Sequence, residues 1–148
     1  MVNTKQYLDL TGLSIFYSKL REMFNSINDT LSEINTYLKF LKSSKQGATL
    51  NAVDTNTRLH FINIASSQTL RLINGKGAGD VTEVGRDLLI IIKNTNASNS
   101  ITVTMPSSSV STTKLLCESS YTIPTGKHLE ISVVSDGTNA YYRVAEQN

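Results

Sequence analysis

The chain has 148 residues, of which 39% are apolar and 18% charged, with a formal net charge of +2. That length suits one domain, or a small domain with an appendage, and the apolar content is far from that of a disordered chain. Residues 1–50 hold six Lys/Arg against four Asp/Glu, whereas residues 51–148 hold eight of each. The C-terminal part therefore lacks the clustered cations that neutralise phosphates, which argues against nucleic acid as a partner.

Ser, Thr and Asn are abundant and Trp is absent, a surface chemistry common in viral and extracellular β-proteins. The single cysteine, Cys117, excludes an intrachain disulfide framework and reads as a small buried apolar residue. No basic segment followed by an apolar run opens the chain, and the longest apolar run, Leu88 to Ile92, is too short to cross a bilayer. The expectation is a protein made in a cytoplasm, with no membrane insertion and no secretion signal.

The pattern of apolar residues changes once, near residues 43–47. Before that point Leu13, Tyr17, Leu20, Phe24, Ile27, Leu31, Ile34, Leu38 and Leu41 follow each other at alternating spacings of four and three. This is an unbroken heptad pattern over about four heptads, the threshold for a coiled coil. No Pro or Gly interrupts it. Asp9 and Thr11 are candidate N-caps, and Ser43-Ser44-Lys45-Gln46-Gly47 supplies a stop. The stalk is predicted to be roughly 43 Å long at 1.5 Å per residue.

With Leu13 placed at d, the a positions are Tyr17, Phe24, Leu31 and Leu38, and Ile27 and Ile34 fall at d. Leu at a with Ile at d disfavours the parallel dimer and shifts preference to three or four strands. Phe16, Met23 and Tyr37 at g widen the stripe further. The e and g positions carry few charges, Arg21 and Lys42 excepted, so self-association is the simpler reading. The competing reading, a helix packed on its own β-domain, would follow a 3.6-residue period and drift from this seam by about 20° per heptad.

From residue 57 onward short β-patterned runs alternate with turn clusters. Leu59 to Ile64 is the first, and Thr69 to Ile73 runs into the Asn74–Asp80 glycine-rich segment. Leu88 to Ile92 is continuously apolar and reads as a central strand buried on both faces. Ile101 to Met105, Tyr121 to Ile123, Leu129 to Val133 and Ala140 to Val144 complete the set, with turns at Pro124–Gly126 and Asp136-Gly137. Six to eight short strands without intervening helices predict an antiparallel β-sandwich or jelly roll.

Little in this half points to chemistry. The segment Asn74-Gly75-Lys76-Gly77-Ala78-Gly79-Asp80 lacks the spacing of a phosphate-binding loop and reads as a hairpin connection. His60 and His128 have no second ligand at i+2 or i+4, so no metal site and no cofactor are expected. Carboxylates at Asp80, Glu83, Asp87, Glu118, Glu130, Asp136 and Glu146 are scattered, and no GxSxG elbow is present, so an enzyme is not expected. Tyr141 and Tyr142 are adjacent on one strand and so face opposite sides of the sheet, one toward the core and one available for ligand contact.

The opening Tyr7-Leu8-Asp9-Leu10-Thr11-Gly12-Leu13, with Phe16-Tyr17 and Lys19-Leu20, resembles the start of virion fibre and structural proteins of Bacteroidetes-infecting, crAss-like phages. Ile90 to Thr95, Ile101-Thr102-Val103, Ile123 to Lys127 and Glu130 to Thr138 resemble the β-domain of the same group. The resemblance implies a homotrimeric virion fibre whose N-terminal segment, Tyr7, Leu8, Leu10 and Leu13, docks to a capsid or tail protein. It implies a projecting β-knob and no catalytic residues.

The expected organisation is thus a docking segment at 1–12, a trimeric coiled-coil stalk at 13–42, a linker at 43–56 and a β-sandwich knob at 57–148. The expected role is structural, on the virion: a head fibre decorating the particle, with the knob, through Tyr141 or Tyr142, offered to host surface glycans. A tail-associated fibre or adaptor, and an oligomeric carbohydrate-binding module, are the alternatives.

Overall fold

The computed structural model describes residues 10–73, 87–106, 113–115, 117–135 and 140–147. The chain divides into two units, one ending at Lys39 and one running from Phe40 to Asn148.

The described residues of the first unit belong to α1, Leu10–Leu41, a helix of 32 residues. At 1.5 Å per residue it is about 48 Å long. It begins ahead of the expected stalk, so Leu10, Thr11 and Gly12 are helical and Thr11 is not its N-cap; Asp9, the other candidate cap, lies outside the described residues. Between 25 and 36, Asn25, Ser26, Asn28, Asp29, Thr30, Ser32, Asn35 and Thr36 are all weak helix formers. Thr30 and Thr36 donate their hydroxyls back to the carbonyls of Ser26 and Ser32, a contact that adds nothing to helical stability. A helix of this composition is marginal alone and depends on covering its apolar stripe.

Phe40, in the last turn, is 4% exposed and belongs to the core of the second unit, with Leu41 half-buried against that core. The helix ends at Leu41 in a turn in which Ser43 donates its amide to the Phe40 carbonyl at 2.9 Å. The same serine's hydroxyl oxygen accepts from the Arg58 amide at 2.9 Å, and its carbonyl accepts from the Leu59 amide.

The second unit holds eleven strands among the described residues. A six-stranded sheet contains, in spatial order, β1 (Ser44–Gly47), β3 (Leu59–Ile64), β6 (Asp87–Asn94), β10 (His128–Ser135), β11 (Ala140–Gln147) and β8 (Thr113–Leu115). A three-stranded sheet orders β4 (Gln68–Thr69), β7 (Ile101–Thr104) and β9 (Ser120–Ile123), and β2 (Val53–Asp54) pairs with β5 (Leu72–Ile73).

The expectation of a purely antiparallel domain is corrected: β1–β3, β3–β6, β4–β7, β2–β5 and β11–β8 are parallel, and β6–β10, β10–β11 and β7–β9 antiparallel. The cause is the path of the chain. β3 leads into β4 and β6 into β7, each passing from the large sheet to the small one, so that successive passes stack in parallel. β9 and β10 return the opposite way and pair antiparallel with both.

Residues 43–56 are likewise not a linker. They form β1 and β2, and Leu50, Val53 and Thr55 are buried. Leu50 is held by its carbonyl, which accepts from the Arg71 amide at 2.8 Å, and by its amide, which donates to Gln68 Oε1.

Strand alternation builds the core. Ile62 and Ile64, then Leu88, Ile90 and Ile92, then Leu129, Ile131 and Val133, then Ala140 and Tyr142 line one face of the large sheet. Ile101, Val103 and Ile123 join them from the small sheet. Leu88 to Ile92 is not buried on both faces: Leu89 and Ile91 are only half-buried on the opposite side. The Asn74–Asp80 segment and the Asp136-Gly137 turn lie outside the described residues, as do Asp80 and Glu83.

Candidate functional site

The sequence singles out two places, the apolar stripe of α1 and the tyrosines of β11. In the stripe, Leu13, Tyr17, Phe24, Ile27, Leu31, Ile34 and Leu38 are each between 38% and 59% exposed, and Leu20 is half-buried. Phe16, Met23 and Tyr37, at the neighbouring g positions, are 50–55% exposed. Phe16 and Tyr17 meet edge to face, ring centres 5.9 Å apart. Only Phe40 of the entire helix is buried. Leu41, placed last in the stripe, packs against the β-core. The stripe thus closes with its final d residue serving the other unit.

Of the docking residues, Tyr7 and Leu8 lie outside the described residues. Leu10 is 86% exposed, the most exposed large apolar side chain described.

The two tyrosines separate as alternation demands. Tyr142 is 1% exposed and part of the core, which removes it as a ligand contact, whereas Tyr141 is half-buried on the other face. Tyr141, Arg143, Ser132, Val134, Tyr121 and Cys117 contribute to the lining of an open cavity of about 430 Å³. The Tyr121 hydroxyl oxygen accepts from the Glu118 amide at 2.9 Å. Burial raises the Cys117 thiol above its ordinary range, against a hydrogen bond with Tyr121 that lowers it. The thiol is therefore protonated and a poor nucleophile near neutral pH. Burial raises the Tyr121 phenol as well.

No protein-family model, curated protein or solved structure matches this chain.

The two histidines have structural partners. His60 is buried, with Nε2 2.9 Å from the Asp54 carbonyl and 3.0 Å from that of Thr57. Both partners are acceptors, so Nε2 carries the proton and bridges the β2–β3 turn. His128 lies 3.6 Å from Glu130 on the large sheet. Among the described residues no three His, Cys, Asp or Glu side chains come together as metal ligands, and no helix is long and apolar enough to cross a membrane.

Sequence reasoning did not find Asn94. This buried asparagine has partners in the β6–β7 turn and at the end of β9. Its only sequence signal is an asparagine two residues beyond the apolar run Leu88 to Ile92, after Lys93.

Proposed function

We propose that the protein is a homotrimeric virion fibre: α1 associates in parallel with two copies of itself, and the β-unit, a mixed sandwich, is the displayed knob. A head fibre decorating the phage particle is the favoured location, with the N-terminal segment bound to a capsid or tail protein.

The observation that carries this reading is a 32-residue helix, poor in helix formers, whose large apolar residues, Leu20, Phe40 and Leu41 apart, are 38–86% exposed in the single chain. Such a stripe on a monomer is a liability, and a heptad seam of copies covers it. The Leu-at-a, Ile-at-d arrangement supports three strands over two. The location rests on the resemblance of the N-terminal segment and the β-strand motifs to crAss-like phage virion proteins.

Two measurements test the two halves. Light scattering after size exclusion is expected to give a full-length mass near three chains, and a single-chain mass removes the basis of the trimer. Deleting Met1 to Gly12 is expected to abolish attachment to particles while leaving the trimer intact, and attachment that survives refutes docking through this segment.

The cavity beside Tyr141 supports a second reading, an oligomeric carbohydrate-binding module, since a tyrosine face beside Arg143 and Ser132 suits a sugar ring and its hydroxyls. Glycan-array binding by the full chain, lost in Tyr141→Ala, distinguishes it.

A further inference from the structure

Strand β6 is the third of six in its sheet, and its run Leu88 to Ile92 is apolar at every position. A continuously apolar strand is the signature of a strand covered on both faces. Here the buried positions of the strand all lie on one face. On the other, Leu89 and Ile91 are half-buried, and their parallel register partners on β3 are Leu59 and Phe61. Leu59 is half-buried and Phe61 is 39% exposed. These four side chains form a two-by-two apolar block near the middle of a sheet face, where singly scattered surface apolar residues are the norm.

We infer that this block is a second contact between copies of the chain, in which the sheet face of one knob packs on the knob of a neighbour. The inference rests on the trimer proposed above, and three observations select a copy as the occupant. The first is size. A free-standing interface buries about 800 Å² per partner, and four partly buried side chains supply much less. So small a block holds only a partner delivered at high local concentration, and linked modules reach the millimolar range.

The second is position in the chain. Leu59 donates its amide to the carbonyl of Ser43, two residues beyond the last residue of α1. Copies joined through their helices therefore carry their blocks on a very short tether. The third is charge. Arg58 and Asp87 pair at one end of the block, Lys93 follows Ile91 at the other, and Glu130 stands beside Ile91 on β10. Both signs border the block, so nothing selects a strongly acidic or basic partner, whereas another copy presents the same mixture.

The chain has no tryptophan, so Phe61→Trp introduces a sole indole reporter at the block. The substitution is made in the full-length chain, with and without Ile27→Lys and Ile34→Lys to open the helical seam. Light scattering gives the mass of each sample. Far-UV circular dichroism reports whether the β-unit stays folded.

The expected result is a three-chain mass with blue-shifted emission. Acrylamide quenching should be several-fold weaker than in the seam-opened, single-chain form. A three-chain mass with emission and quenching equal to those of the opened form overturns the knob contact and leaves the helical trimer standing. A single-chain mass without the lysines overturns both. An indole that stays shielded in the single-chain form also overturns the inference, because the chain itself then covers the block.

Discussion

The side-chain amide of Asn94 donates to the backbone carbonyl of Ile123 at 2.9 Å, across 29 residues of sequence. The same amide donates to the carbonyl of Asn99 at 3.0 Å, and its Oδ1 accepts from the Asn96 amide at 2.8 Å. One residue, 1% exposed, thereby ties the β6–β7 turn to the end of β9. Asn96 extends the link by donating its side-chain amide to the Ala65 carbonyl in the β3–β4 turn. Three passes between the sheets are joined at their corners by asparagine amides.

Asn94→Ala is expected to cost about 1–3 kcal/mol, because the buried Ile123 carbonyl and the part-buried Asn99 carbonyl and Asn96 amide lose their partner. Asn94→Asp is expected to cost more at neutral pH, since a carboxylate cannot donate and faces two carbonyl oxygens. Its folded-state pKa is then raised, so part of the loss is recovered on acidification. Urea unfolding at pH 7 and pH 4, at one fixed protein concentration, checks both. Equal stability of Asn94→Asp and the parent chain at pH 7 refutes the donor role.

The Arg58–Asp87 pair gives a pH dependence of opposite sign. Arg58 Nε and one terminal nitrogen meet the two carboxylate oxygens at 3.3 and 2.8 Å. The hydrogen bond from Arg58, more than its charge alone, holds the Asp87 carboxyl below the ordinary carboxylate range, against a raising contribution from burial. A depressed folded-state pKa contributes stability above the unfolded value of about 3.9, lost as pH falls through the folded value. The side chains are 41% and 49% exposed. Solvent screening therefore limits the pair to a few tenths of a kcal/mol. Asp87→Asn is expected to be slightly less stable at pH 7, with the gap closing as pH falls through the depressed folded-state value and shrinking in 1 M salt.

Gly126 offers a backbone test. The Lys127 amide donates to the Pro124 carbonyl at 3.1 Å, and Gly126 sits at φ +74° in the third position of that turn. Nothing lies within 4 Å of a Cβ built there, so the cost of a side chain is purely conformational. Gly126→Ala is expected to lose about 1 kcal/mol, and Gly126→Asn less, because asparagine tolerates the left-handed region. A neutral alanine in thermal unfolding refutes the turn assignment.

These elements differ in how far the sequence announces them. The helix was legible because its signal is local: the heptad spacing from Leu13 to Leu41 and the serines that stop it. Strands β3, β6, β7, β9, β10 and β11 were legible from alternation and turn residues. Parallel pairing was not, because which pass stacks on which depends on contacts such as Leu59 with Leu89, thirty residues apart. Residues 43–56 look like a linker because β1, all exposed, has no alternation to read. Their few buried residues are held by backbone bonds to Arg71 and Ile73 and by the Gln68 side chain. At β11 the spacing separates the two tyrosines but does not say which of them is core. Asn94 is invisible for the same reason, since its partners at Asn99 and Ile123 come from the corners.

The seam itself allows a test at unchanged composition. Ile27 and Ile34 occupy d, and Leu31 and Leu38 occupy a. Exchanging them, with Ile27→Leu, Leu31→Ile, Ile34→Leu and Leu38→Ile in one chain, keeps the side-chain formula and reverses the branching at each layer. β-branched residues at a with leucine at d fit the parallel packing of two strands, whereas the native order fits three or four. The exchanged chain is expected to move from a mass near three chains toward two, with helix content retained. Tyr17 and Phe24 remain at a and oppose a tight dimer near the N-terminal end, so a mixture weighted to two chains also agrees. A mass unchanged at three chains means the core layers do not set the strand number. In that case the knob contact between Leu59, Phe61, Leu89 and Ile91 becomes the determinant to mutate next.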